Sequence, residues 1–219
     1  DTSDEAIRVA VEQHNEVCRL IRAIGDFRKE ANPRVTGYEF HILTLVSYVA
    51  PKHLIVDKLR ETLEEIKTRE PDAADKYRAR VVFVGSEVDD VDVIRLVEES
   101  GAYVCADRFC YGSLPGRDEI LLNDDEDVVK QVCRQVQGRA QCPRYWDMAK
   151  MTGRRDYVAD LAKEYGADGI IYEQMKFCDP WAYERMIGTI VLRDEHGYPV
   201  LAVDRPYSIG SSGQMRTRV

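Results

Sequence analysis

The sequence predicts an α/β fold: a parallel-sheet, flavodoxin- or Rossmann-like three-layer domain with an N-terminal helical section. Three observations carry this expectation. Residues 1–72 hold apolar side chains at helical spacing, with charges between them. From 73 to 219, short apolar runs ending in Gly, Ser or Asp alternate with amphipathic stretches. Strands separated by helices pair in parallel, because a right-handed helical crossover returns the chain to the same edge of the sheet.

Taken in order, residues 4–24 read as a helix with Ile7, Val11, His14, Cys18 and Ile21 on one face. A second helix falls within 36–50 and stops before Pro51, and a third carries Val56, Leu59, Leu63 and Ile66 on one side. "RVVFVGS" (80–86) is a continuous apolar run, as expected of a strand covered on both faces. A helix over 90–102 follows, stopped by Gly101, and "YVCADR" (103–108) is the next strand. Helices are expected at 125–137, 154–167 and 181–194, with strands at 168–173 and 199–204. The acidic run "LLNDDEDVV" (121–129) reads as a solvated helix start capped by Asn123 or Asp124.

Composition narrows the function. An apolar fraction of 44% supports a core, while 32% charged residues and a mean hydropathy of -0.40 describe a soluble surface. The apolar runs fall far short of the ~20 residues that cross a bilayer, and no signal peptide is visible, so a cytoplasmic protein without a membrane partner is expected. The net charge of -8 argues against duplex nucleic acid, which is gripped by clustered cations. The six cysteines form no C-x-x-C pair and read as reduced thiols. There is no phosphate-binding G-x-x-x-x-G-K-[ST], no G-x-G-x-x-G, no H-E-x-x-H and no G-x-S-x-G. His14, on an apolar helix face, reads as structural.

If all four strands point one way, their carboxyl ends form the ligand-binding edge. In "GIIYEQMKFCDP" (169–180), Cys178 then falls in a loop on that edge, near Lys176 and before a helix starting around Pro180, where helix-terminal amides favour a thiolate. It is either a metal or iron–sulfur ligand or a half-buried thiol packed under Phe177. "DRFCYGSLPGRDE" (107–119) carries Arg108, Cys110, Ser113 and Arg117. It is either an anion-binding loop or a crossover whose arginines pair with Asp107 and Asp118. Cys105 belongs to the core. "DRPYSIGSSGQMRTR" (204–218) could cradle a phosphate on backbone amides, with Arg216 or Arg218 near. Ser86, Arg108 and Arg205, at the strand ends, are the positional candidates for substrate-binding donors.

"YGADGIIYEQMKFCDPWAYER", "YPVLAVDRPY" and "GQMRTRV" resemble the C-terminal half of the benzoyl-CoA reductase and 2-hydroxyacyl-CoA dehydratase subunits, the D-component family. The likeness extends to the front section with its "AVEQHNEVCRLIRAI". The resemblance implies an enzyme of anaerobic metabolism built from two related subunits, with a 4Fe–4S cluster held by three cysteines. It also implies a separate ATP-hydrolysing activator that delivers one electron to an acyl-CoA thioester. Cys178 matches the third cluster cysteine. The first two belong to an N-terminal domain that nothing here matches, so the chain is expected to be a C-terminal portion, inactive alone. "DRFCYGSLPGRDE" leans toward the reductase side, with the dehydratase as the alternative. A non-catalytic α/β module that binds a partner subunit is the reading from a different class.

Overall fold

A computed structural model describes residues 2–73, 76–113, 117–145, 147–207 and 212–219. The chain runs α1 (Asp4–Asp26), α2 (Gly37–Val49), α3 (Lys52–Thr68), β1 (Ala79–Gly85), α4 (Val91–Glu99), β2 (Ala102–Arg108), α5 (Val128–Gly138), α6 (Met148–Glu164), β3 (Gly169–Met175), α7 (Asp179–Asp194), β4 (Val200–Arg205) and α8 (Ser212–Arg218). The expected α/β class holds. Among the described residues the four strands form one all-parallel sheet in the order β2-β1-β3-β4.

Helices cover both faces, which is why β1 and β3 lack the alternation of a half-exposed strand. On one face Val82, Val84, Cys105, Ile170 and Tyr172 pack with Val158 and Ala162 of α6 and Trp181 and Leu192 of α7. On the other, Val81, Phe83, Val104 and Ile171 meet Val93, Ile94 and Val97 of α4. Cys105 is core as expected, and burial pushes its thiol up to about 11.

The front helices have their own core of Val17, Ile21, Ile24, Phe40, Ile55, Leu59 and Ile66. In α1 the buried stripe includes Val11, Cys18 and Ile21 as read from the sequence, and also Asn15. Asn15 is buried because its amide exchanges two hydrogen bonds with the Ile120 backbone, at 2.9 and 2.8 Å. His14 is half-buried 3.4 Å from Cys18 Sγ. The front section is stitched to the sheet. Buried Arg28 stacks over Phe40 (3.6 Å) and its Nη1 donates to Asp107 Oδ1 at 3.0 Å. Arg80 on β1 donates back to the carbonyls of Arg28 and Glu30. The Tyr103 hydroxyl donates to Val35 O at 2.7 Å.

Two helix starts differ from the sequence reading. The cap of α5 is Asp127, accepting from Lys130 N at 2.8 Å, so the acids at 124–126 precede the helix instead of filling its first turn. The α6 helix starts at Met148, with Asp147 accepting from Lys150 N at 2.8 Å. Its first turn was invisible to periodicity because Met148 is exposed and Met151 only half-buried.

Candidate functional site at the crest of the sheet

The strand order fixes where a ligand belongs. The chain leaves β1 toward β2 on one side and later lays β3 on the other, so the connections diverge between β1 and β3. In open α/β sheets that switch point opens a crevice at the carboxyl ends of the strands. Here β1 ends at Gly85 and β3 passes within van der Waals limits of it: a Cβ on Gly85 would lie 2.3 Å from the Glu173 carbonyl oxygen. Only glycine fits.

Beneath that crest sits a buried polar knot. Glu173 is 0% exposed, and its carboxylate accepts from Arg205 Nε at 3.0 Å, Ser86 Oγ at 2.9 Å and Ser86 N at 3.1 Å. Ser86 Oγ in turn accepts from Met175 N at 2.6 Å. Arg205 spends its other donors on the carbonyls of Glu87, Pro206 and Tyr207. Burial pushes the Glu173 carboxyl up, opposed by Arg205 and the Ser86 hydrogen bonds. Ser86 and Arg205 are thus at the predicted edge, but their donors are committed internally and tie the ends of β1, β3 and β4 together.

Arg108 is likewise inside, 1% exposed, with Nε and Nη2 donating to the side-chain and main-chain oxygens of Gln141 at 3.0 and 2.6 Å. Its guanidinium lies 4.9 Å over the Trp181 ring. Desolvation lowers its pKa, the cost of a buried cation with no carboxylate partner among the described residues. The pairing of Arg108 and Arg117 with Asp107 and Asp118 is not what forms: Asp107 takes Arg28 and Asp118 takes Arg22.

Cys178 is the N-cap residue of α7, half-buried against the core cluster that holds Trp181 and Tyr172. Phe177 does not cover it. That ring is 97% exposed, and its backbone adopts φ +72°, a left-handed conformation that costs a bulky residue strain. The strain turns the chain sharply between β3 and α7. Burial raises the Cys178 pKa. The Trp181 amide and Arg144 oppose the rise without reversing it. The thiolate-favouring effect expected of the helix start is therefore outweighed.

Two further thiols stand on loops at this edge of the sheet. Cys110, whose backbone N–H donates to Ser86 O, accepts a 3.2 Å hydrogen bond from Trp181 Nε1. Cys142, half-buried next to the Gln141 that holds Arg108, accepts from Arg144 Nη1 at 3.7 Å. Cys110, Cys142 and Cys178 lie within mutual electrostatic reach: after burial and the Trp181 contact, Cys142 and Cys178 each help raise the Cys110 pKa. Cys110 does not occupy the cluster-cysteine motifs of the family that the chain resembles, and the sequence gives Cys142 no role. Next to these loops a cleft of about 530 Å³ opens between Pro143, Arg144, Met151, Pro180, Tyr183 and Ile187. That size lies within the range of small-molecule sites.

Among the described residues no three His, Cys, Asp or Glu side chains converge to hold a metal ion. Since iron–sulfur clusters rest on several thiolates, these residues do not fit a complete cluster site, and Cys178 could supply one ligand of a larger set. Part of the 107–119 loop (114–116) and of the 204–218 stretch (208–211) lies outside the described residues. After the latter comes the short α8, whose Arg216 pairs with Glu99 at 2.7 Å.

Fold and crest define an α/β domain that gathers cysteines where such sheets bind ligands. The family model for 2-hydroxyglutaryl-CoA dehydratase, D-component, matches residues 1–219, and the chain belongs to that family. It is 25% identical over 219 residues to the (R)-phenyllactyl-CoA dehydratase beta subunit of Clostridium sporogenes, covering 99% of this chain and 56% of that protein. It is 23% identical to a benzoyl-CoA reductase subunit of Thauera aromatica, covering 84% and 47% of the two. The putative dehydratase subunit YjiM of Escherichia coli (strain K12) is 22% identical, covering 100% and 57%. The chain spans about half the length of these curated relatives. No helix among the described residues is long and apolar enough to cross a membrane.

Proposed function

We propose that the chain is the C-terminal portion of a subunit of an acyl-CoA enzyme, in which Cys178 supplies one thiolate of a 4Fe–4S cluster. The remaining ligands come from outside the residues described, and the electron comes from a separate ATP-hydrolysing activator. The observation that carries this reading is the position of Cys178: beside the switch point and an open cleft, not sealed in the core. Ser86, Arg108 and Arg205 act in it as positioning residues. The Glu173 knot fixes three strand ends, and Arg108 fixes the Gln141 and Trp181 neighbourhood of the thiols.

Of the two chemistries, dehydration of a 2-hydroxyacyl-CoA is favoured over reductase-type ring reduction. The likeness to the dehydratase subunits runs over 99% and 100% of the chain, against 84% for the reductase relative. The sequence alone leans the other way, on a loop that is only partly described.

The test is anaerobic reconstitution of the full-length protein with iron and sulfide. Cys178→Ala is expected to abolish the visible cluster absorbance. Cys110→Ala combined with Cys142→Ala is expected to leave it, since those thiols do not converge with Cys178 on one point. Retention of the cluster in Cys178→Ala would overturn the reading and favour a non-catalytic, partner-binding module.

A further inference from the structure

The polarity of α7 is inverted. Between Asp179 and Arg193 its exposed positions are Tyr183, Met186, Ile187 and Ile190, at 69, 60, 36 and 49% exposure. The charge lies inside instead: Glu184 is 4% exposed and accepts from Arg154 Nη2 at 3.1 Å and Arg155 Nε at 2.9 Å. A helix that faces water ordinarily shows it charges, as α3 does with Arg60, Glu61, Glu64 and Lys67. We propose that the outer face of α7 docks a second copy of this chain, α7 against α7 about a two-fold axis beside Ile187.

Spacing is the first support. The four apolar residues stand at i, i+3, i+4 and i+7, a single stripe of the kind that packs into the grooves of another helix. The stripe is centred between Met186 and Ile187. An antiparallel copy therefore lays Tyr183 against the partner's Ile190 and Ile187 against the partner's Met186, which is the self-complementarity that a two-fold contact requires. That setting also places each helix start beside the other helix's end, the favourable order for their dipoles. The stripe itself carries no charge by which an unlike partner could be selected.

Area is the second. On α6, Met148 is 76% exposed and stands one turn before Met151, which shares the 530 Å³ cleft with Tyr183 and Ile187. At about 200 Å² for a large side chain in full view, these residues leave roughly 600 Å² of apolar surface open. That reaches the top of the range for the largest patch on a monomer, about 300–600 Å². A standard interface takes about 800 Å² from each partner, about two-thirds of it apolar in homodimers, so one copy of the same face covers it. Each copy carries a net charge of -8, so two copies repel, and salt that screens the repulsion favours the contact.

The experiment is sedimentation equilibrium of the full chain from about 1 to 100 µM, in about 0.1 and 0.5 M salt. A closed monomer–dimer equilibrium with a Kd of about 10 µM or tighter is expected, no weaker at the higher salt. Ile187→Asp sets a charge beside the axis and is expected to weaken the dimer at least about 100-fold, leaving monomer throughout. Its circular dichroism and Tm should match those of the parent chain, because Ile187 already meets water in the single copy. Met186→Asp, at a more exposed position, keeps the test decisive should Ile187→Asp not fold. Val49→Asp, at an 82%-exposed residue that ends α2, is the control and is expected to leave the dimer intact. A monomer at about 100 µM would overturn the proposal and give the face to an unlike partner. So would a dimer dissolved by salt, open-ended association, or a dimer broken by Val49→Asp and not by Ile187→Asp.

Discussion

Replacing Glu173 with Gln tests the knot under the crest most directly. The change preserves shape and removes one charge. The carboxylate accepts three hydrogen bonds, from Arg205 Nε (3.0 Å), Ser86 Oγ (2.9 Å) and Ser86 N (3.1 Å), and every one of those groups is a donor. A glutamine presents one oxygen and one NH2 group, so at least one buried donor must face another. Arg205, itself buried, would keep its charge without the only carboxylate it pairs with among the described residues. Removing one partner of a buried ion pair costs about 3–5 kcal/mol. With a urea slope of about 2.5 kcal/mol/M, the midpoint of unfolding followed by far-UV circular dichroism should fall by roughly 1.5 M. Adding Arg205→Met should recover part of that loss. The bare charge is then gone, while the carbonyls of Glu87, Pro206 and Tyr207 lose their donor. A fall of less than about 0.4 M in Glu173→Gln would mean that the pair contributes little, and the reasoning would be refuted.

Two further outcomes can be checked on the same instrument. Glu98 accepts from the backbone N–H groups of Gly37, Tyr38 and Val104, and burial pushes its carboxyl up from 4.5 to about 6. A folded pKa above the unfolded one gives stability that is complete below pH 4.5 and lost as pH rises through 6, about 2 kcal/mol in all. Glu98→Gln should flatten the stability profile across that window, and an unchanged profile would contradict the assignment. Phe177→Gly should raise Tm by about 2–4 °C, since it relieves a left-handed backbone at φ +72° and gives up a ring that packs on almost nothing. A lower Tm would show that the exposed ring is held by contacts.

Much of the fold was legible because local signals and fold rules agreed. "RVVFVGS" and "DGIIYE" are too apolar and too short for anything but covered strands, and helical crossovers make such strands parallel. That alone put Cys178, Ser86, Arg108 and Arg205 at one edge. What each does there was not legible, because it depends on partners far away in sequence: Arg205 meets Glu173 across 32 positions, and Arg28 meets Asp107 across 79. Such pairs follow from the strand order β2-β1-β3-β4, which periodicity does not encode. One signal was available for Arg205. By the two-residue alternation of a strand it shares a side with buried Val203, so an inward-facing guanidinium could have been expected. For Arg28, in "GDFRKE", composition pointed to solvent and gave no such hint. Cys142 was invisible for the opposite reason: it lies in the loop between α5 and α6, where sequence spacing carries no geometry.

The Arg28–Asp107 contact sets how the protein comes apart. Asp107 is the sole acid paired with that guanidinium among the described residues, and it stands on β2 while Arg28 follows α1. Prying the three leading helices away would strand two naked ions in an oily gap at the same moment, together with the orphaned carbonyls that Arg80 now satisfies. The two halves should therefore melt as a single cooperative body, and a protease nick in the connection around residue 72 would leave them clasped.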